Sequence, residues 1–436
     1  MRSVARAAGI LGVSVLLAGC ATHSALQPAT VAASHPAKTR PSPSARSTIV
    51  PRASIPASPT LPAFTTLAMV TASAGWGATQ GQVFWTDTGW RAWAAVTPAN
   101  LPADSALVLD PINAATAWVG VSTDLANGPA PLFLTTDHGQ SWREITVPGS
   151  VGGLSWPHFF STERGYVAVG LVGSMGSETL VIQATDDGGT HWHTLPGSIS
   201  EALVTSGHIP PPSAHRLPWF GDKSGVVWAT PSDGWMSGGH AGSVTEVGML
   251  YRTTDGGVTW FPVALPGRGV DAPQWVLPPI FRSAVDGVVP VQIGPRTYVV
   301  DQTVDGGATW RAGVPLPWDP AGDSLWTFTG GSMGLAVSKV LNAAGTAVTT
   351  SALYRTTDAG RTWTILPTKL PLDAVTAIDL VTRSIAYASC NSGQTSALWE
   401  STDGGVMWTP VSPRRPGAAD IRHRVANGER AVGFGV

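Results

Sequence analysis

From about residue 64 onward, short apolar runs alternate with polar, glycine-rich turns. Leu132-Phe133-Leu134 precedes one such turn, and Trp260-Phe261-Pro262-Val263 follows another. Short runs rich in β-branched and aromatic residues predict strands joined by hairpins. A small or turn-forming residue followed by an apolar one begins a further short run at regular intervals, as in Gly75-Trp76, Ala117-Trp118, Gly165-Tyr166, Gly234-Trp235, Gly287-Val288, Gly334-Leu335 and Ala386-Tyr387. The pattern predicts an all-β chain.

One turn motif recurs, with the fixed points Thr or Ser, any, Asp, any, Gly, any, any, Trp. An Asp side chain accepts hydrogen bonds from nearby backbone N–H groups, and Gly adopts a left-handed conformation without steric cost. We therefore expect these acids to close turns rather than to catalyse a reaction. Six copies fit, with the pairs Asp137/Trp142, Asp187/Trp192, Asp255/Trp260, Asp305/Trp310, Asp358/Trp363 and Asp403/Trp408, and a degenerate seventh is read as Asp87, Gly89 and Trp93 with one extra residue before its Trp.

The motif resembles the Asp-box, or BNR repeat, of β-propeller proteins. Its acids, at positions 87, 137, 187, 255, 305, 358 and 403, are 50, 50, 68, 50, 53 and 45 residues apart. A unit of about 50 residues is the size of one four-stranded blade. The resemblance implies a seven-bladed β-propeller of four-stranded antiparallel blades. An eight-bladed ring is the alternative, in which residues 421–425 and 430–434 pair with a stretch such as 47–50.

Among Asp-box families the chain is most similar to photosystem II stability/assembly factor-like proteins and to sortilin-type receptor domains. Those resemblances imply a non-catalytic scaffold that binds a protein, peptide or glycan, and this is the leading expectation. The alternative is a carbohydrate-active enzyme, either sialidase-like or another glycoside hydrolase or lyase. The Arg-Ile-Pro motif of sialidases is absent, whereas Glu163 near Tyr166 leaves a Tyr–Glu pair open.

The first 63 residues have a different composition from the rest. Arg2 and Arg6 precede an apolar stretch, and Leu17-Ala18-Gly19-Cys20 resembles a bacterial lipobox, which implies lipidation at Cys20. An ordinary signal peptide is the alternative. We expect a signal peptide over residues 1–20, a disordered Pro/Ser/Ala-rich tether over 21–63 and a propeller over 64–436. The predicted location is extracytoplasmic, on the bacterial cell membrane.

Charge and cysteine content exclude several classes of protein. Only 12% of residues are charged and the net charge is −2, which gives no electrostatic footprint for nucleic acid. Cys390, the only cysteine besides Cys20, has no partner for an internal disulfide. We expect a monomer without a cofactor. We also expect no metal site, since His208 and His215 do not have a recognised ligand spacing. No catalytic residues are predicted.

Binding is expected on the face where the long connections emerge, because long loops on a rigid scaffold commonly carry function. An insertion of about residues 201–225 produces the 68-residue interval. Aromatic rings predicted near this face form the candidate ligand surface, with burial in the core as the alternative for each: Trp156, Trp219, Trp275, Trp318 and Trp326.

Overall fold

The computed structural model describes residues 48–51, 64–89, 91–122, 129–150, 153–169, 178–199, 215–239, 248–266, 275–281, 283–294, 297–317, 325–329, 332–342, 347–392 and 396–411. These residues form antiparallel strands and tight turns, with a short 3₁₀ helix at Leu372–Ala374. Strand β1 (Thr48–Pro51) comes first. The later strands form seven consecutive groups, which we number blade 1 to blade 7.

Blades 1 to 4 each contain four strands, which we call a to d in chain order. Blade 1 has β2 (Thr66–Met69), β3 (Gly75–Thr79), β4 (Gln82–Thr86) and β5 (Ala94–Ala95). Blade 2 has β6 (Leu107–Pro111), β7 (Ala117–Val121), β8 (Pro131–Thr135) and β9 (Ser141–Thr146). Blade 3 has β10 (Leu154–Phe159), β11 (Gly165–Val169), β12 (Val181–Thr185) and β13 (His193–Thr194). Blade 4 has β14 (Asp222–Trp228), β15 (Gly234–Gly239), β16 (Gly248–Thr253) and β17 (Phe261–Pro262).

Blade 5 differs slightly, because its strand a is split and its outer position holds only two isolated bridges, at Arg311 and Pro315. It has β18 (Trp275–Val276), β19 (Ile280–Phe281), β20 (Gly287–Gly294) and β21 (Thr297–Thr303). Blade 6 has β22 (Leu325–Phe328), β23 (Gly334–Leu341), β24 (Val348–Thr356) and β25 (Thr364–Leu366). Blade 7 has β26 (Val375–Leu380), β27 (Ala386–Asn391), β28 (Ser396–Ser401) and β29 (Thr409–Val411).

The innermost strands contact one another around a ring. β2 contacts β6, β6 contacts β10, β10 contacts β14, β22 contacts β26, and β26 returns to β2. An antiparallel array whose last sheet contacts its first is a β-propeller, so the all-β propeller prediction is confirmed. The total number of blades stays a prediction, because residues 412–436, on which the eight-bladed alternative depends, lie outside the described residues.

Aromatic rings stacked between neighbouring blades explain the small–apolar dipeptides of the sequence. The ring that ends strand a lies over the glycine that begins strand b of its own blade: a Cβ on Gly165 would be 2.1 Å from Phe159. The same ring stacks on an aromatic side chain from the preceding blade, as Phe159 does on Trp118 at 3.8 Å. Blades 3 and 4 repeat this arrangement with Tyr166 and Trp228, at 4.0 Å.

The recurrent acidic turns share one hydrogen-bond pattern. In blade 2, the Thr135 hydroxyl donates to Asp137 Oδ1 at 2.8 Å, and the backbone N–H of Ser141 donates to the same oxygen at 2.9 Å. The N–H of Gly139 donates to the Thr135 hydroxyl at 2.9 Å. The same three bonds occur around Asp187, Asp255, Asp305, Asp358 and Asp403.

In blade 1, Thr88 rather than Asp87 takes the position of the acid. The N–H of Ala92 donates to the Thr88 hydroxyl at 2.9 Å, as Ser141 does to Asp137. Counted from Thr86, the turn reaches Trp93 at the same spacing at which Thr135 reaches Trp142. The extra residue inferred from Asp87 therefore does not exist. A hydroxyl can replace the carboxylate here because the turn needs only a short side-chain acceptor.

The six tryptophans that follow the acidic turns are all buried or half-buried. Trp142 is 1% exposed, and its indole N–H donates to the carbonyl of Val96 in blade 1 at 2.6 Å. Its ring also meets Trp76 of blade 1 edge-on, at 6.2 Å. Trp260, Trp310 and Trp408 are buried as well, and Trp192 and Trp363 are half-buried.

Strand β1 adds a fifth strand to the outer edge of blade 2. It pairs antiparallel with β9, with Thr48 opposite Glu144 and Pro51 opposite Ser141. This segment lies within the predicted tether and is the stretch assigned to the C-terminal strands in the eight-bladed alternative. An outer strand leaves one row of backbone groups without partners, and β1 supplies partners for that row.

We predict that Trp142→Phe lowers the free energy of unfolding by about 1–2 kcal/mol, because it removes a buried hydrogen bond and leaves the Val96 carbonyl without its donor. Trp310→Phe is the control, since Trp310 is 8% exposed and its indole nitrogen has no acceptor among the described residues. Urea unfolding of both variants should show the larger loss for Trp142. Equal losses would contradict the prediction.

We further predict that acid weakens the turns. Hydrogen bonds from the hydroxyl and N–H of Thr309 and from Thr303 hold the pKa of Asp305 at about 2. An acid whose pKa is lowered by folding stabilises the protein above its unfolded pKa of 3.8. That stability is lost as the pH falls through about 2. Asp305→Asn should therefore destabilise the chain at pH 6 in chemical unfolding, with a difference from wild type that shrinks towards pH 2. A difference independent of pH would refute this origin.

Candidate functional site

The strand register sorts the connections onto two faces. Pro111 at the end of β6 and Thr135 at the end of β8 both lie level with Ala117, so the a–b turns and the acidic turns share one face. The b–c and d–a connections emerge on the other, which we call the loop face. Much of the loop face lies outside the described residues, including Trp318, His208 and most of the long insertion.

Three of the predicted ligand-face tryptophans do not form an exposed surface among the described residues. Trp326 is 6% exposed and meets Trp363 edge-on at 5.8 Å. Trp156 is half-buried against the core between blades 3 and 4. Trp275 is half-buried and pairs with both Gly239 and Gln292, which links blades 4 and 5. These three rings act as packing elements of the blades.

Trp219 differs, because it lies in the d–a connection that leads into β14. It is half-buried, and its neighbour Phe220 is 42% exposed. The two rings are perpendicular, with centroids 6.1 Å apart. Two rings at right angles form an apolar corner, in which one ring presents its face and the other presents its edge.

A buried lysine fixes the backbone beneath this corner. Lys223 is 7% exposed, and its ammonium donates to the carbonyls of Glu178 at 2.7 Å, Phe220 at 2.9 Å and Gly221 at 2.8 Å. All three ammonium protons are thus used. Burial lowers the pKa of Lys223 to about 8, against the opposing charges of Glu178 and Asp222. The lysine joins the d–a connection to the Glu178 segment of blade 3.

Two carboxylates lie beside the lysine. Glu178 Oε2 accepts the backbone N–H of Lys223 at 2.7 Å. Burial raises the pKa of Glu178, and the negative charge of half-buried Asp222 raises it further. The Lys223 hydrogen bond and charge oppose that rise without cancelling it. A carboxyl group whose pKa is raised, next to a second carboxyl group, is an arrangement suited to general acid catalysis.

Polar side chains also occur on the inner strands near the a–b turns. Asp110 accepts the backbone N–H of Phe159 in blade 3 at 2.5 Å, and Asp379 accepts that of Met69 in blade 1 at 2.8 Å. Burial raises the pKa of Asp110 to about 7 and that of Asp379 to about 6. Burial also lowers the pKa of His158 to about 4, which keeps it neutral at pH 7. These acids connect neighbouring blades.

Two acids near the a–b turns, Asp233 and Asp286, also have structural partners. Asp233 forms an ion pair with Arg252 at 3.0 Å, and Asp286 accepts from Ser283. The Tyr166 hydroxyl donates to the Pro231 carbonyl at 2.6 Å, which fixes blade 3 to blade 4. A Tyr–Glu contact that the sequence analysis missed joins Tyr387 to Glu400 at 3.2 Å, across neighbouring strands.

No group of three metal-ligating side chains occurs within the described residues. His215 lies against Phe261, with ring centroids 4.3 Å apart. In the described part of the chain, no helix has the length and apolar character needed to cross a membrane. Lys223, Glu178 and Asp110 were all missed from the sequence. The available signal was a charged residue inside or beside an apolar strand, as in Leu107-Val108-Leu109-Asp110.

No protein-family model matches the sequence. The chain is 27% identical over 301 residues to a xyloglucanase of Hypocrea jecorina, covering 64% of this chain and 33% of that protein. It is 26% identical over 309 residues to a xyloglucanase of Paenibacillus, covering 63% of this chain and 27% of that protein. The chain thus spans about a third of the length of these relatives. Among solved structures, YCF48 from Cyanidioschyzon merolae matches with a TM-score of 0.49 and 15% identity, over 82% of this chain and 96% of that one.

These relatives correct the leading functional expectation. The sequence analysis favoured a non-catalytic scaffold for a protein, peptide or glycan partner, and that prediction is wrong: the relatives are glycoside hydrolases. They support the alternative, a carbohydrate-active enzyme. The acidic turns could not reveal this, because the same scaffold carries both kinds of function on other residues.

We predict that Asp110→Asn raises the free energy of unfolding at pH 8 by about 1–3 kcal/mol, since it removes a buried charge and keeps an oxygen for the Phe159 N–H. The pKa of Asp110 rises from 3.8 to about 7 on folding. Its stabilising contribution is therefore complete below pH 4 and is lost as the pH rises through about 7. The gain should be smaller at pH 5 than at pH 8 and disappear only below about pH 4.

Thermal unfolding at pH 5 and pH 8 measures this effect. Asp104→Asn is the control, because Asp104 is exposed and the change should be nearly neutral at both values. A destabilised Asp110→Asn variant at pH 8 would show that the charge itself is needed between blades 2 and 3.

Proposed function

We propose that this protein is a glycoside hydrolase acting on a xyloglucan-type polysaccharide. The observation that carries the proposal is the alignment of more than 300 residues with xyloglucanases from a fungus and a bacterium. The aligned part is about a third of those proteins.

Glu178 and Asp222 are our candidates for the catalytic pair. Most glycoside hydrolases use two carboxyl groups, one protonated to donate to the leaving oxygen and one ionised to act as base or nucleophile. Glu178 has the raised pKa that the donor needs, and Asp222 is the charged neighbour that helps to raise it. Both lie at the loop face between blades 3 and 4. In this assignment Glu178 is the acid and Asp222 the base or nucleophile.

We also propose the extracytoplasmic, lipid-anchored location implied by Cys20, with a monomeric propeller on a tether. A polysaccharide outside the cell would be accessible there. The six complete acidic turns are, in this proposal, Asp-box repeats. Their short side-chain and backbone hydrogen bonds support that assignment, and their role is to close hairpins.

The test is release of reducing ends from xyloglucan by the purified protein, with mixed-linkage glucan, xylan and sialylated glycans for comparison. We expect activity on xyloglucan and a loss of at least a hundredfold in Glu178→Gln, since general acid catalysis contributes roughly 10²–10⁴-fold. Activity should fall as the pH rises through the elevated pKa of Glu178, because the donor then loses its proton.

Glu163→Gln is the matched control, as Glu163 is an exposed glutamate on the opposite face. It should retain wild-type activity. Hydrolysis with full activity in Glu178→Gln would reject this carboxyl as the acid. Absence of hydrolysis on every polysaccharide by the wild-type protein would reject the proposed function.

A further inference from the structure

We propose that Trp219 and Phe220 form a sugar-stacking subsite beside the Glu178–Asp222 pair; this inference rests on the proposed function. Trp219 is half-buried and Phe220 is 42% exposed. Trp156, Trp275 and Trp326 lie on strands within the blades, whereas Trp219 and Phe220 lie in the d–a connection that leads into β14.

The geometry of the pair fits a pyranose ring. One face of a β-linked sugar carries axial C–H groups, whose positive edges are attracted to the electron-rich face of an aromatic ring. The perpendicular arrangement of the two rings, at 6.1 Å, lets one ring stack on the sugar while the other meets its edge. Flat stacking recognises the ring rather than one hydroxyl pattern, and the proposed function supplies the ligand class, a β-linked glucan backbone.

The corner is rigid, which lowers the entropic cost of binding. Lys223 ties the Phe220 and Gly221 carbonyls to that of Glu178. The N–H of Glu178 in turn donates to the Gly221 carbonyl at 3.2 Å. Gly221 has a φ of +73°, and a Cβ there would be 2.8 Å from the Gly239 carbonyl. The backbone of Phe220 and Gly221 is therefore tied to the segment that carries Glu178.

The site also has polar groups for sugar hydroxyls. Asp222 follows the corner directly and is half-buried. Glu178 reaches the same backbone segment through Lys223. An apolar wall with a few converging polar groups is the usual composition of a carbohydrate or small-molecule site. Stacking would place a sugar unit next to the carboxylates.

The test is calorimetric titration of the full-length protein with xyloglucan oligosaccharides, using Trp219→Ala, Trp219→Phe and Phe220→Ala. We expect Trp219→Ala to weaken binding about tenfold, which corresponds to about 1.4 kcal/mol. Trp219→Phe should keep most of the affinity, because a phenyl ring still offers a face. Phe220→Ala should weaken binding by a smaller factor.

Phe261→Ala is the matched control. Phe261 is a similarly exposed phenylalanine, at 46%, but it lies on the outermost strand of blade 4. It should leave affinity unchanged. Melting temperatures near that of the wild type would exclude misfolding of the variants.

The two proposals fail in different ways. If wild-type protein binds and Trp219→Ala and Phe220→Ala bind equally well, the subsite is wrong while the proposed function stands. If wild-type protein neither binds nor cleaves any of the polysaccharides, the proposed function and the subsite are both rejected. If Trp219→Ala weakens binding while Glu178→Gln keeps full hydrolytic activity, the subsite stands and only the assignment of Glu178 as the acid is rejected.

Discussion

Closure of the ring depends on side-chain contacts between blade 7 and blade 1. Asp379 accepts the N–H of Met69, Tyr387 donates to the Ala72 carbonyl, and Thr376 donates to the Phe64 carbonyl. In the described residues, no blade is shared between the two ends of the ring. Side-chain contacts between groups more than 300 residues apart in sequence therefore close the ring, in place of a blade built from both ends of the chain. The entropic cost is that of closing one long loop.

Local chemistry made much of the fold predictable. An acid and a glycine at fixed spacing close a hairpin without help from the rest of the chain, so the turn at Asp137 could be read from the sequence. Gly165 beside Tyr166 could also be read as the start of a strand. Thr88 could not, because a hydroxyl in place of an acid is visible only through its bond to Ala92.

The site was harder to predict, because its properties come from neighbours distant in sequence. Exposure separates Trp219 from Trp326, and sequence does not show which blade covers which ring. Glu178 and Lys223 are 45 residues apart and meet only through the contact between blades 3 and 4. A resemblance based on repeated turns describes the scaffold. Function on such a scaffold depends on residues outside those turns, and this is why the scaffold suggested a binder where the relatives are hydrolases.

Strand β1 determines the side from which the N-terminal part of the chain reaches the ring. Because β9 runs from the acidic turn towards the loop face, its antiparallel partner runs in the opposite direction, with Thr48 nearer the loop face and Pro51 nearer the turns. The polypeptide thus arrives at the rim of blade 2 rather than along the central axis. If the chain carries the proposed N-terminal anchor, that anchor is connected to the propeller through an outer strand of blade 2, which leaves the loop face separate from the point of attachment.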